Sequence, residues 1–285
     1  MTSRDEMPDV AVPDVAVPDV TVPDVTVRWL GHASVVLDLT LAGEQPGVAR
    51  RVRLLTDPLL RRHAGLLRRR GGAPRREDWC DADAVLVSHL HHDHAELGSL
   101  ELLGATPVVA PPSNAHWLTR HGVPAVAVPE GSWWHVPGTG VRVRPVTAVH
   151  GHRPMPHRPN AAVGFLVVGP GVRVWFAGDT APFPQMAELP ALAGGPIDLA
   201  LVPVGGWGPR LSGGHMDPVQ AAEAVAAAAA RLDGRGRSGV RRGRRAAGAG
   251  LRGARARARG PGPRARAVTR HAGHRRVARD RTSVR

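Results

Sequence analysis

The stretch "VSHLHHDHAELGSL", residues 87–100, places four histidines and an aspartate within positions 89–94. An apolar run, "DAVLV", precedes it and a helix-like segment follows. Histidine is too polar, and ordering it too costly, for such a cluster to serve packing alone. In an extended chain, side chains two apart fall on one side. His89, His91 and Asp93 therefore share a side, His92 points away, and His94 follows as the chain turns toward the helix. The spacing is H-x-H-x-D-H. Nitrogen and carboxylate donors without sulfur suit zinc, with iron or manganese as alternatives.

One segment cannot close two metal sites, so partners are sought elsewhere. "TAVHGH" puts His150 at the end of a strand and His152 two positions on; the spacing alone does not separate them. "WFAGDT" puts Asp179 at another strand end, where Gly178 lets the backbone come close. An aspartate there could bridge two metals about 3.5–4 Å apart. Asp57, after "LLT", reads equally as the carboxylate that orients a ligand histidine or as a turn residue before Pro58.

The chain has 285 residues, 42% of them hydrophobic, enough for one large domain or two small ones. Its formal charge of +14 is unevenly spread. Residues 231–285 hold 19 arginines against two aspartates, whereas residues 1–230 hold 19 arginines against 22 acidic residues. The basicity belongs to the tail, so it does not mark the body as a nucleic-acid binder. Cys80 is the only cysteine, which excludes an internal disulfide and a thiolate zinc knuckle. No apolar leader and no membrane-length apolar run are seen, and a cytoplasmic protein is expected.

Residues 8–27 repeat P-D-V-[AT]-V four times. Proline every fifth residue opposes helix and strand ladders, so residues 1–25 read as a disordered arm. From there to Leu232 short apolar runs alternate with helical patterns. "VTVRWLGHASVVLDLTLAG" reads as two strands joined at Gly31 and His32. "RVRLLTDPLL", "DAVLVSHL", "TPVVAPP", "AVAVPEG", "GVRVRPVTAVH", "AVGFLVVG", "VRVWFAGD" and "IDLALVPV" read as further strands. "HAELGSLELLG", "SNAHWLTRHG", "FPQMAELPALAGG" and "DPVQAAEAVAAAAARL" read as helices, the last with Asp217 as N-cap. A layered α/β protein with its site at strand ends is expected.

"VRWLGHAS", "LLTDPLL", "VSHLHHDH", "AVHGH", "FAGDT" and "GGHMDPVQAAEAV" occur in the order seen in the metallo-β-lactamase superfamily. The chain resembles the branch containing L-ascorbate-6-phosphate lactonase and N-acylphosphatidylethanolamine phospholipase D. The resemblance spans residues 26–232 and implies a four-layer αββα sandwich with two zinc ions, or manganese or iron, at one edge. By motif position His89, His91 and His150 bind one metal, with His152 as the substitute for His150. Asp93 and His94 bind the other, and Asp179 bridges. Asp93 and His215 are the implied catalytic residues, His215 as an acid or a substrate contact. His32 is read as a structural or supporting residue near the metal edge. The implied activity is hydrolysis by a metal-bound hydroxide of an ester, phosphodiester or lactone in a small-molecule or lipid-like substrate.

The chain departs from the family after Leu232. The family's next strand ends in a sequence like P-x-H-W-G-T, whose histidine completes the second metal site. Here residues 233–285 are an Arg/Gly/Ala-rich tail, read as disordered, in which His271 and His274 do not match. The sandwich is therefore expected to lack its last strand or strands. The abrupt change resembles a shifted frame through GC-rich DNA. An evolved nucleic-acid-binding tail is the rival reading and would make the protein an RNA- or DNA-processing nuclease of the same fold. A truncated, inactive remnant is the third. "LLRRHAGLLRRRGGAPRRED" carries Arg61, Arg62, Arg68, Arg69, Arg70, Arg75 and Arg76, read as a solvated loop or an anion-binding overhang. Trp133 and Trp134 are expected to pack on opposite sides of a strand.

Overall fold

Alternation along the strands builds the molecule. A computed structural model describes residues 19–22, 24–42, 49–65, 67–69, 72–151, 157–159, 161–205, 213–229 and 266–268. Strands β1 (Val20–Val22), β2 (Val25–Gly31), β3 (Ser34–Ala42) and β4 (Ala49–Thr56) are followed by a small hairpin, β5 (His63–Ala64) with β6 (Leu67–Arg68). A single helical turn, α1 (Arg76–Trp79), leads to β7 (Ala84–Leu86), α2 (Leu97–Glu101), β8 (Val108–Ala110), α3 (Pro112–Arg120) and β9 (Ala125–Ala127). The second half contains β10 (Trp134–His135), β11 (Arg142–Thr147), β12 (Val163–Val168) and β13 (Arg173–Phe176). A 3-10 turn (Pro184–Glu188) runs into α4 (Leu189–Ala193), then β14 (Leu199–Leu201), α5 (Pro218–Ala229) and β15 (Arg266–Val268).

The strands form two mixed sheets, one ordered β1-β2-β3-β4-β7-β8-β9 and the other β10-β11-β12-β13-β14-β15. Leu37, Leu39 and Leu54 of the first sheet meet Val143, Phe165, Val167 and Val174 of the second in one buried cluster. The residues between them in sequence face outward. Val36, Leu55 and Val85 pack with Leu100 near α2 and with Ala115 and Leu118 of α3. Leu166 and Trp175 pack against Leu189 of α4 and Ala221, Ala224 and Ala228 of α5. Both sheets are thus apolar on both faces, which requires a layer on each side and yields the αββα order.

Local chemistry explains the boundaries. Gln220 N donates to Asp217 Oδ1 at 2.8 Å and Asp217 N to Gln220 Oε1 at 3.0 Å, a reciprocal cap that starts α5. Gly122, with φ 79°, directly follows the C-cap of α3 and ends it. Trp133 packs on the α4–α5 side while Trp134 packs on the inter-sheet cluster, as strand alternation requires. Buried Arg53 grips Asp38 through two bonds of 2.7 and 2.8 Å and donates to Cys80 O, fastening β3 and β4 to the turn after α1.

Two readings change. Val20–Val22, read as part of the arm, pairs antiparallel with β2 because Asp24 adopts a left-handed φ of 66° and closes the turn. Arg266–Val268 lies parallel to β14, so a short strand occupies the edge expected to be bare. The rest of the tail, including His271 and His274, falls outside the described residues. In the arginine-rich segment Arg69 turns inward, while Arg61, Arg62, Arg68, Arg75 and Arg76 stay exposed. Arg69 donates to the carbonyls of Leu59 and Leu30, Arg61 lies 3.6 Å from Glu96, and Arg75 pairs with Glu77 and Asp78. Arg70 is outside the described residues.

Phe165 is fully buried between the sheets. Phe165→Ala is expected to cost about 3–5 kcal/mol of unfolding free energy, read from the midpoint of a denaturant melt.

Candidate metal centre

Parallel and antiparallel pairing brings the unusual residues to one edge. β4 and β7 are parallel neighbours, so Asp57 and the segment beginning at Ser88 leave the first sheet on the same side. β11 and β13 are both antiparallel to β12, so His150 and Asp179 leave the second sheet together. A bridge between Val149 and Ala181 ties those two extensions. The β2–β3 turn shares this edge because Val35, at the start of β3, faces Thr56 at the end of β4.

The two sheets approach closely here. Val163 N donates to Ser88 O at 3.0 Å. Gly178 has φ 62°, and a Cβ there would sit 2.8 Å from Ser88 Cβ. Only glycine combines that conformation with that approach. Arg158 Nη1 donates to Leu90 O at 2.8 Å and Ala95 O at 3.2 Å while its guanidinium lies over Trp117. The loop carrying the histidines is thereby held from both sides.

Two groups of donor atoms result. In the first, His91 Nδ1 lies 2.9 Å from His89 Nε2 and 3.2 Å from His150 Nε2. In the second, Asp93 Oδ2 lies 2.9 Å from His32 Nε2 and 4.0 Å from His94 Nε2. Asp179 Oδ2 stands between the groups, 3.1 Å from His94 Nε2 and 3.4 Å from His215 Nε2. Ligands about 2.0–2.1 Å from a tetrahedral zinc lie about 3.3 Å from one another, the scale of these separations. His92 belongs to neither group and sits beside His157 instead. His150 lies with His89 and His91, and His152 lies outside the described residues.

The other ring nitrogens are anchored. Asp57 is fully buried. It accepts Ser88 N at 2.7 Å on Oδ1, and Ser88 Oγ at 2.6 Å and His94 Nδ1 at 2.8 Å on Oδ2. Ser88 Oγ lies 3.0 Å from His89 Nδ1, and His150 Nδ1 3.2 Å from Gly214 O. Each contact places a proton on Nδ1 and turns Nε2 toward the shared space. Buried His94 Nε2 finds no well-directed hydrogen bond there despite two nearby carboxylates. Two sulfur-free donor groups and that buried Nε2, which a cation would engage by displacing its proton, fit a pair of divalent cations.

Charge follows the same division. Burial, reinforced by His94, holds His89 well below the ordinary histidine range, and burial with His150 and His94 pushes His91 down to about 4. Burial also lowers His150. These three offer neutral rings. Burial opposes a charged His94, but Asp179 and Asp93 outweigh it and raise its pKa well above 6.5. Burial would also raise Asp93 and Asp179, yet His94 with His32 on the first, and His94 with His215 on the second, holds each well below the usual carboxylate range. The second group therefore already carries anionic oxygens suited to a cation.

Ser88, Arg158 and Gly214 were not singled out from sequence. Ser88 adjoins the first histidine at a buried strand end, a local signal of sorts. Gly214 has none, since its value lies in the 2.6 Å that a Cβ there would leave to His150 Nδ1.

Residues 52–232 match a family profile described as "Beta-lactamase superfamily domain". A UPF0173 metal-dependent hydrolase of Thermococcus onnurineus (strain NA1) is 30% identical over 203 residues, 70% of this chain and 78% of that protein. The N-acyl-phosphatidylethanolamine-hydrolyzing phospholipase D 1 of Caenorhabditis elegans is 28% identical over 221 residues; the match covers 68% of this chain but 58% of that protein. In fold the chain is similar to a metallo hydrolase from Ignicoccus hospitalis KIN4/I, with TM-score 0.51 and 22% identity over 70% of this chain and 76% of that one. An isothiocyanate hydrolase from Delia radicum gut bacteria gives TM-score 0.50 and 18% identity over 68% of this chain and 78% of that one.

Asp57→Asn keeps the side-chain shape but replaces one accepting oxygen by a donor. Metal affinity is expected to fall about 10–100-fold, read by competition with a chromophoric chelator, with the far-ultraviolet circular dichroism unchanged.

Proposed function

Because the chain belongs to the beta-lactamase superfamily and is a metal-dependent hydrolase of it, we propose that it cleaves an ester, phosphodiester or lactone bond at this edge of the sandwich. The supporting observation is the position of Asp179 Oδ2 between the two donor groups. In this reading His89, His91 and His150 hold one cation, Asp93 and His94 hold the second, and Asp179 serves both. Zinc suits these donors, and manganese or iron would also be accepted. A bound pair of such ions supplies a lowered water pKa and positive charge for the oxygen that becomes anionic.

The chain's own residues do the rest. Asp93, kept ionised beside His32 and His94, orients the attacking water. That water, having released one proton to solvent, bonds through its oxygen to the carbonyl carbon or phosphorus, and the bond to the leaving oxygen breaks. His215, reaching from the turn before α5 to 3.4 Å from Asp179 Oδ2, gives its proton to that leaving oxygen. The favoured substrate is a small or lipid-like ester or phosphate. No helix among the described residues is long and apolar enough to cross a membrane.

The reading is tested with p-nitrophenyl esters, bis-p-nitrophenyl phosphate and a lactone panel. His89→Ala and Asp179→Ala are expected to abolish turnover of whichever class is cleaved; full activity in the dialysed, metal-free protein would sink the proposal. His215→Gln should lower kcat about 10²–10⁴-fold for an alkoxide leaving group and far less for p-nitrophenolate. Equal losses for both leaving groups would remove His215 from the role of acid.

A further inference from the structure

We propose that His32 is a ligand of the second cation, so that the Asp93 and His94 half of the site is closed from the β2–β3 turn. The inference rests on the two-cation reading above. Four groups of metal-ligating side chains occur among the described residues, and one contains both Asp93 and His94: its third member is His32. His215 falls in a different group, with His150 and Asp179.

The geometry is directed. His32 Nε2 lies 2.9 Å from Asp93 Oδ2. The His32 and His94 rings meet edge on, their centroids 5.0 Å apart and their planes inclined by 67°. Two imidazoles in that relation can point their Nε2 atoms at one centre, and a carboxylate oxygen already stands there. Ligand spacing around a single zinc, about 3.3 Å, is bracketed by the 2.9 and 4.0 Å separations of Asp93 Oδ2 from the two rings.

The β2–β3 hairpin turn fixes the backbone of His32. Its φ is 52°, in the left-handed region that a non-glycine residue rarely enters, next to Gly31 at 106°. The turn is tied down on every side. Trp29 Nε1 donates to His32 O at 2.9 Å, Thr56 Oγ1 to Ala33 O at 2.9 Å, and Ser34 Oγ to Asp57 O at 2.7 Å. Ser34 Oγ also accepts Leu59 N at 2.7 Å. Asp57, which aims His94, itself has φ 36°. Two adjoining segments with left-handed residues thus serve one position: the β2–β3 turn presents His32, and Asp57 aims His94 by holding its Nδ1.

The test uses the full chain and counts metal. Wild-type protein loaded with zinc is expected to bind two ions per chain by elemental analysis. His32→Asn, whose side chain tolerates a left-handed φ, is expected to retain one ion, with the first equivalent's affinity unchanged and the second weakened at least 100-fold in a chelator titration. His32→Gly, which needs no strain at φ 52°, should repeat that result and covers the case in which the asparagine variant folds poorly. In zinc-loaded wild type, ¹⁵N spectra of histidine-labelled protein should show His32 Nε2 at a metal-bound shift, assigned by its loss in His32→Asn. Two tightly held ions in both His32 variants, or an unligated His32 Nε2 shift with two ions bound, overturns the inference and leaves the hydrolase reading intact. Loss of the second ion from a His271→Ala, His274→Ala double variant, with the His32 variants unaffected, does the same. Fewer than one ion on the wild type, or no loss in His89→Ala, overturns the reading beneath it.

Discussion

The carboxylate of Asp57 is the constraint on which the centre depends. It is fully buried, and its two oxygens accept a backbone N–H, a hydroxyl and an imidazole N–H. A buried carboxylate short of donors would cost several kcal/mol; with three it becomes a rigid fixture. It fixes the exit of the chain after β7 through Ser88 and sets the tautomer of His94. Through the Ser88 hydroxyl it also reaches His89. One oxygen pair at a strand end therefore orients members of both donor groups.

The second requirement is nearness between the sheets. His150, Asp179 and His215 come from the second sheet and its connections, while the histidine loop comes from the first. Side chains of ordinary size on both edges would hold them apart. Gly178 removes the obstruction at Ser88, and within the second half Gly214 lets the turn bearing His215 close on His150. Arg158 then draws the Leu90 and Ala95 carbonyls toward Trp117, so the loop is fastened on its far side as well. The apolar layer between the sheets supplies the rigidity that makes such tolerances hold.

Much of this was legible in the chain. The layered α/β class follows from apolar runs alternating with short helical patterns, and the αββα order was what the resemblance to the metallo-β-lactamase superfamily implied. The histidine loop announced itself through composition, since no packing role explains its density. Asp57 was open between two readings, and burial with three donors decides for the orienting one. The arginines after Asp57 were equally open. Arg69 turns inward onto the carbonyls of Leu59 and Leu30, which no residue spacing could have revealed, while Arg61 and Arg75 meet carboxylates at the surface. The first repeats and the tail read as featureless, yet two three-residue pieces of them pair with sheet edges, where backbone hydrogen bonding needs little help from side-chain pattern.

The sequence by itself determined the layered class, the strand ends that bear chemistry, and a donor set of nitrogen and oxygen without sulfur. Those are local matters: periodicity, turn residues and ligand type are written in consecutive positions. The tertiary structure alone decided which donors share a space. His32 and Asp93 are 61 positions apart, yet their side chains lie 2.9 Å apart, because strand register carries the β2–β3 turn to the end of β4 and parallel pairing carries the histidine loop beside it. Register and pairing depend on the whole sheet, so no single stretch of the chain records them.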